Sequence, residues 1–447
     1  MSRTKLLPLA GAIASVLMST AAMASTVDFH GYFRSGIGAS GGGGDQEAFK
    51  AVGAGSKYRL GNETDTYGEI KLGSELFNNG EQSFYLDSMM AFGIDQANDW
   101  EESAVAFREF NIKSKGTLGF APEATLWAGK RFYRRHDVHS SDFFYWDVSG
   151  PGAGIEEMNL GFADASLAWV KSSTKVTTYD SQANANADEN ASEKGLDQNI
   201  IDFRLENINV NPDGALTLGV DYAFSSTTDV NDLWYRDASG NAQTLSEDDL
   251  EDSGYMATLI HTQSNFFGGF NKFVVQYAKD AMAVDGLAAR GQNIDMVDPK
   301  VSGDNLNAKS LTRVINHGLI GLGENTEMYY NALYSKASFR DSAKDDQTWI
   351  SVGVTPLYNW NEIMSTQFEI GHDYVKNGVS NGVDSRLTKV TLSQEWSAGR
   401  GYWARPTIRV FGTYAKWNDE SKGMIGGDAF ANDTSGFTFG VQADAWW

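Results

Sequence analysis

The sequence predicts an all-β protein: an 18-stranded antiparallel transmembrane β-barrel, with long external loops at one end and short turns at the other. Three observations carry that expectation. Segment after segment alternates apolar and polar residues, the connections alternate strictly between tight and long, and the segment count is even with both chain ends on the tight-turn side.

The alternation begins at Val27, where Val27, Phe29, Gly31 and Phe33 interleave with Asp28, His30, Tyr32 and Arg34. Between Tyr67 and Phe77, Gly68, Ile70, Leu72 and Leu76 oppose Tyr67, Glu69, Lys71 and Glu75. Further along, Ile201, Phe203 and Leu205 oppose Asp202, Arg204 and Glu206. Leu216, Leu218, Val220, Tyr222 and Phe224 oppose Thr217, Gly219 and Asp221. Met364, Phe368 and Ile370 oppose Gln367, Glu369 and Asp373, and the chain ends with Phe437, Phe439, Val441, Ala443, Ala445 and Trp447 against Thr438, Gln442, Asp444 and Trp446. A period of two puts one set on each face of a strand. Ala106 to Lys113 is mixed, and its faces are not assignable from sequence.

Tight turns fall near Asn78-Asn79-Gly80, Lys115 to Ala121, Gly161 to Ala163, Asn211 to Gly214, Asn265 to Gly269, Gly321 to Thr326, Tyr358 to Asn361 and Ala398 to Gly401. Their Asn, Gly, Pro and Asp content is that of hairpins. Long polar stretches fall near 39–57, 95–104, 134–156, 172–199, 225–254, 279–310, 337–347, 375–386 and 416–435. Eight turns and nine loops join 18 strands. Hydrocarbon cannot satisfy backbone amides, so such a sheet must close on itself, apolar side chains outward. A barrel this wide encloses an aqueous channel. A soluble solenoid or propeller would need a fixed-period repeat, and none is present.

Composition agrees. Arg3 and Lys5, the apolar run Leu6 to Met18 and Ala22-Met23-Ala24 read as a signal peptide over residues 1–24, leaving 25–447 as one exported domain. No later stretch is long enough for a membrane helix. The net charge of −22 argues against nucleic acid as a partner, and with no cysteine the fold has no disulfides. The 12 Trp, 18 Tyr, 25 Phe and only 7 Pro suit a large β-protein.

Several inward positions are aromatic where a wet face should be polar. Tyr32 shares a face with Asp28 and Arg34, Tyr67 with Glu69 and Lys71, Phe270 with Lys272 and Gln276, and Trp446 with Asp444 and Gln442. Aromatic faces lining water suit a solute with apolar faces and polar edges, such as a sugar ring. Nearby charged groups would replace part of its hydration.

Seven motifs sharpen the reading: Val27 to Gly38, Ser56 to Glu63, Trp127 to Tyr133, His136-Asp-Val-His139, Gly150 to Gly154, Gly269 to Tyr277 and the final Trp446-Trp447. Together they resemble maltoporins across nearly all of 27–447. The resemblance implies a trimeric, passive channel of the bacterial outer membrane for maltose and maltodextrins, without cofactor or catalysis, in contact with outer-membrane lipids. It implies a third loop folded into the pore and an aromatic path of Tyr32, Tyr67, Trp100, Phe270, Trp360 and Trp446. Trp100 and Trp360 rest on the resemblance alone, and the residue matching Trp100 comes from a neighbouring subunit. The implied polar track is Arg34, Arg59, Glu69, Arg108, Arg135, Asp137, His139 and Asp142. Phe144 stands where maltoporins usually have tyrosine, which is similar to sucrose porins and removes a hydroxyl from the constriction. Well-studied members carry a cysteine pair near the first loop; here the run Gly41 to Gly44 suggests a mobile one.

Other chemistry is weaker. His136, Asp137, His139 and Asp142 are metal-ligand types, but they sit in a loop without helical spacing. Asp137 with Asp142, or Glu69 with Asp137, could be offered as a glycosidase pair, yet nothing fixes their separation. A secreted carbohydrate-active enzyme or lectin is the distant alternative; a general diffusion or sucrose-type channel is the near one.

Overall fold

In the computed structural model the described residues are 26–95, 103–225, 233–236, 241–245, 253–283, 308–339, 345–377 and 382–447. The expected leader and Trp100 lie outside them.

The chain rises and falls through β1 (Val27–Ser40), β2 (Asp65–Asn78), β3 (Ser83–Asp95), β4 (Ala106–Lys115) and β5 (Thr125–Arg131). Two short strands, β6 (His136–Val138) and β7 (Phe143–Trp146), follow inside the third loop. The wall resumes with β8 (Gly150–Asn159), β9 (Asp164–Thr178), β10 (Ser192–Asn211) and β11 (Gly214–Ser225). A small external hairpin, β12 (Leu233–Arg236) and β13 (Ala242–Leu245), precedes β14 (Ser253–Phe266), β15 (Gly269–Asp280), β16 (Ala308–Gly321), β17 (Thr326–Phe339) and β18 (Gln347–Asn359). β19 (Met364–Lys376), β20 (Ser385–Ser397), β21 (Thr407–Trp417) and β22 (Ser435–Trp446) complete it. Eighteen of these strands form one sheet, every neighbour pair antiparallel. Closure is made by β1, which pairs Tyr32 with Glu69 of β2 and with Trp446 of β22. No edge is left to water or lipid.

The predicted alternation sets the faces. Ile37 is 74% exposed on the outside, whereas Asp202, Arg204 and Asp221 are fully buried inside. The terminal Trp447 lies on the outer face with its ring 5.4 Å from Phe29. The mixed segment in β4 has a local cause. A register shift opposite Met89 and Met90 resets the alternation, so Phe107 and Phe110 point out while Glu109 and Asn111 are buried inside. Side chains fold the turns back: Asn79 Oδ1 accepts from the N–H groups of Glu81 and Gln82 at 3.0 and 2.7 Å. The two-residue turn Phe267–Gly268 has both φ positive, 47° and 78°, the pattern that matches strand twist.

Three connections differ from expectation. β9 and β10 run on to Thr178 and Ser192, so most of the loop expected over 172–199 is an extended hairpin capped by the short helix α1 (Gln182–Ala187). The turn expected at Ala398 to Gly401 spans 398–406 and carries Tyr402 and Trp403 to the third loop, His139 lying 4.7 Å from Trp403. The first loop, where the run Gly41 to Gly44 suggested mobility, turns inward beyond that run: residues 45–64 pack inside the barrel, with Phe49 and Asn62 fully buried. Asn62 holds it shut, accepting from Phe49 N at 2.7 Å and donating to Phe49 O and Tyr58 O at 2.8 Å. Burial of a side chain like Phe49 is favourable by about 1.5–3 kcal/mol. The apolar core therefore lies between loops and wall, in the lumen.

Candidate functional site

The third loop, residues 132–149, is seated by contacts that its sequence supplies one after another. Trp146 Nε1 donates to Asp221 Oδ2 at 2.9 Å, and the Arg204 guanidinium lies 3.8 Å over the same ring while donating to Arg134 O at 2.7 Å. Gln276 donates to Tyr145 O at 3.0 Å, and Phe143 meets Trp349 edge-on at 5.1 Å. Ser140 Oγ donates to Asn331 Oδ1 at 3.0 Å, and His139 N donates to the Tyr329 hydroxyl at 3.2 Å. The loop thus crosses the lumen and grips β10, β11, β15, β17 and β18.

The first loop meets it there. Arg59 N donates to Ser140 O at 3.0 Å, and the Arg59 side chain reaches Glu63 at 2.7 Å, the Tyr32 hydroxyl at 3.0 Å and Asp142 at 3.7 Å. Arg34 holds Asp65 with two parallel bonds of 2.9 and 2.8 Å and touches Glu63 at 3.2 Å. Such forks fix direction as well as charge.

Aromatic rings run beside these charges. Tyr67 and Tyr32 lie 6.0 Å apart, and Tyr32 is register-paired with Trp446. Arg34 covers the Tyr67 ring at 5.1 Å, the Tyr67 hydroxyl donates to Glu69 at 2.6 Å, and Arg405 covers Trp446 at 4.4 Å. His139 then sits 6.2 Å from Trp446 and 4.7 Å from Trp403. From Trp403 the rings continue through Tyr402, Tyr329 and His317 to Phe270, at spacings of 4.9, 5.1, 6.2 and 6.4 Å. Toward the outer mouth, Arg135 stacks between Phe132 at 3.6 Å and Phe144 at 4.4 Å, and Arg108 lies 5.0 Å over Phe132. The cavity bordered by Arg108, Phe132, Pro151 and Asp197 measures about 530 Å³. A second one, of about 40 Å³, lies among Arg59, Glu63, His139, Tyr402, Arg405 and Asp444. It is a small polar recess where the first and third loops meet the wall.

Over residues 27–447 the sequence matches the family described as LamB porin. The chain belongs to the LamB porin family. Its fold is similar to an Acinetobacter baumannii OccAB1 crystal structure at TM-score 0.50 and 10% identity, covering 94% of this chain and 96% of that one. It is also similar to Pseudomonas aeruginosa OpdK with vanillate, at TM-score 0.46 and 12% identity over 94% and 99% of the two chains. Vibrio cholerae OmpT in its trimer form matches at TM-score 0.40 and 12% identity over 95% and 100%. These likenesses concern the barrel alone. This LamB porin is an outer-membrane β-barrel channel.

Placed on the porin, the residues expected from sequence divide. Tyr32, Tyr67, Trp446, Arg34, Arg59, Glu69, His139 and Asp142 meet through the contacts above. Phe270 faces the lumen across from them, packed against the buried core. Asp137 is opposite Phe144 in the loop hairpin. Trp360 does not join them. It lies in the turn after β18, 58% exposed, with its ring 4.8 Å from Tyr358 and its Nε1 donating to Thr366 at 2.8 Å. Tyr358 and Thr366 share the outer face with Val352 and Ile370. Trp360 is thus a rim residue on the lipid side. Trp403, which the sequence reading missed, holds the lumenal position instead. Its signal was visible in the run Gly401-Tyr402-Trp403-Ala404-Arg405-Pro406, where two aromatics and a cation interrupt a turn. His136 stacks on Trp146 at 5.3 Å, away from His139, and among the described residues no three His, Cys, Asp or Glu groups converge on a metal position.

Electrostatics at the loops follow from burial and the arginines. Burial alone would raise the Glu63 carboxyl, but Arg59 and Arg34 outweigh it and hold its pKa at about 2. Burial, with Arg59 and Arg405 adding to it, lowers His139 to about 3. Asp137 is raised by burial and then by Asp142. At neutral pH the constriction therefore offers fixed guanidinium and carboxylate groups beside a neutral imidazole.

Proposed function

We propose that this LamB porin is a passive, sugar-selective channel for maltose and maltodextrins. The observation that carries the reading is the lumenal run of rings in which Tyr67 lies 6.0 Å from Tyr32, Tyr32 is register-paired with Trp446, and His139 bridges Trp446 to Trp403, with Arg34 over Tyr67 and Arg405 over Trp446. Sugar rings slide over the aromatic faces while their hydroxyls exchange water for Arg34, Arg59, Glu69, Arg108, Arg135, Asp137, His139 and Asp142. Each contact is weak and several act in series, as conduction requires. Trp100 is proposed to complete the path from a neighbouring subunit of a homotrimer, and residues 1–24 to be removed on export.

One residue favours a broader second reading. Phe144 offers Arg135 a ring face and no hydroxyl, so the constriction loses a hydrogen-bonding arm. Sucrose-type oligosaccharides then compete with maltodextrins. The deciding experiment is planar-bilayer recording across glucose, sucrose, maltose and maltohexaose. Saturable block by maltohexaose, in three equal steps per inserted unit, is the expected result. An ion current indifferent to millimolar maltohexaose would rule the sugar path out and leave a general diffusion porin.

A further inference from the structure

The outer wall carries a pattern that the lumenal path does not use. On four rising strands an outward tyrosine is followed two positions later by an outward lysine: Tyr277 and Lys279 on β15, Tyr334 and Lys336 on β17, Tyr374 and Lys376 on β19, and Tyr414 and Lys416 on β21. Trp169 and Lys171 repeat it on β9. Two residues advance a strand by about 6.7 Å, so the cations form a tier just beyond the aromatic girdle, on the long-loop side. Five outward lysines at one depth contrast with the net charge of −22.

The tier is not uniform. Lys171, Lys279 and Lys336 are each neutralised, by Asp197 at 2.7 Å, Asp280 at 3.3 Å and Asp346 at 2.7 Å. Lys376 and Lys416 are exposed and make no ion pair among the described residues. Between them β20 presents Arg386, also exposed and also without an ion pair among the described residues, its guanidinium 5.2 Å over the Tyr374 ring. Register pairs Tyr374 with Arg386 and Lys416 with Thr388, so Arg386 is diagonal to both lysines, at about 7–8 Å. The adjacent carboxylate, Asp384, which the register sets opposite Lys376, accepts from the Tyr374 hydroxyl and Asn377 N, both at 3.2 Å, and forms no ion pair with the three cations. Below the three cations the same face carries the hydrogen-bonded pair His372 and Thr388, 2.9 Å apart, beside Tyr414, and then turns apolar through Ile370, Leu392 and Val410.

We propose that Lys376, Arg386 and Lys416 form a docking site for a phosphate group of an outer-leaflet glycolipid. The charges suit the phosphate, the planar Arg386 fork suits its oxygens, and Tyr374 and Tyr414 lie at the boundary between headgroup and acyl chains. The apolar strip beneath receives the chains. The site depends on the outward face of β19–β21 and not on the sugar path.

The test titrates the purified full-length porin in non-ionic detergent with diphosphoryl lipid A, reading bound lipid by native mass spectrometry. Saturable binding is expected, weakened at least tenfold in the K376Q/R386Q/K416Q variant and unchanged by K115Q at the opposite rim. Heat-modifiable migration and maltohexaose block should stay as in the wild type. If the triple variant fails to fold, R386Q alone should weaken binding about threefold. Equal retention of dephosphorylated lipid A, equal binding by the triple variant, or equal affinity for inorganic phosphate alone would each overturn the proposal. So would loss of oligomers with lipid binding intact, which would make the patch an interface between copies.

Discussion

The placement of single aromatic residues separates the proposed sugar path from the rim. Tyr67 and Trp403 line the lumen, whereas Trp360 lies on the outside, so substitution should sort them cleanly. Tyr67→Ala and Trp403→Ala should each weaken maltohexaose block about fivefold, since one ring contact contributes about 1 kcal/mol. Trp360→Ala should leave block unchanged; titrating the current in each variant reads the difference. Charge at the loops gives a pH dependence with a defined sign. His139 has its pKa lowered from 6.5 to about 3, so between those values the unfolded chain binds a proton that the folded one refuses. Its contribution is complete above about 6.5 and falls as pH drops toward 3. Glu63, lowered to about 2 from 4.5, adds in the same direction below 4.5. Thermal unfolding at pH 7, 5 and 4 should show the loss, and His139→Gln should flatten the part above pH 4.5.

At the level of elements, two loops set the lumen, and each has a weak point in the wall. Tyr58 of the first loop sits over Gly353 and Gly371, donating to or accepting from Ser351 at 2.9 Å. A β-carbon at either glycine would overlap its ring. Gly371→Ala should displace the loop at a cost of about 1–3 kcal/mol and raise single-channel conductance. The third loop depends on Arg204, which is fully buried against Asp202 at 2.9 Å and Trp146. Arg204→Met leaves Asp202 and Asp221 without their cation and should cost about 3–5 kcal/mol. Noisier, larger open-channel current is the expected signature. A quiet trace of wild-type amplitude would show that the loop holds its place without Arg204.

For the whole molecule, closure decides whether the chain enters a membrane. β22 joins β21 to β1, and without it two unpaired edges would face hydrocarbon. Deleting 435–447 should abolish heat-modifiable migration and insertion into vesicles, whereas a folded, inserted product would contradict the closed-barrel argument. Much of this architecture is legible in sequence because lipid outside and water inside impose a period of two on nearly every strand. The even count followed from turn chemistry, and Tyr32, Tyr67, Phe270 and Trp446 from parity alone. What failed had physical causes. The bulge in β4 broke parity, so Phe107 and Glu109 could not be assigned. The inward packing of the first loop was not legible, because Phe49 and Asn62 find their partners only in the folded lumen. Trp360 and Trp403 both sit in turns, where parity gives no direction. Sequence alone determined strand number, faces and the wet aromatic set, because those depend on local alternation against two solvents. Only the tertiary structure decided which loops fill the lumen and which turn tryptophan lines it. Those outcomes rest on contacts between residues hundreds of positions apart, such as His139 with Trp403 and Tyr58 with Ser351.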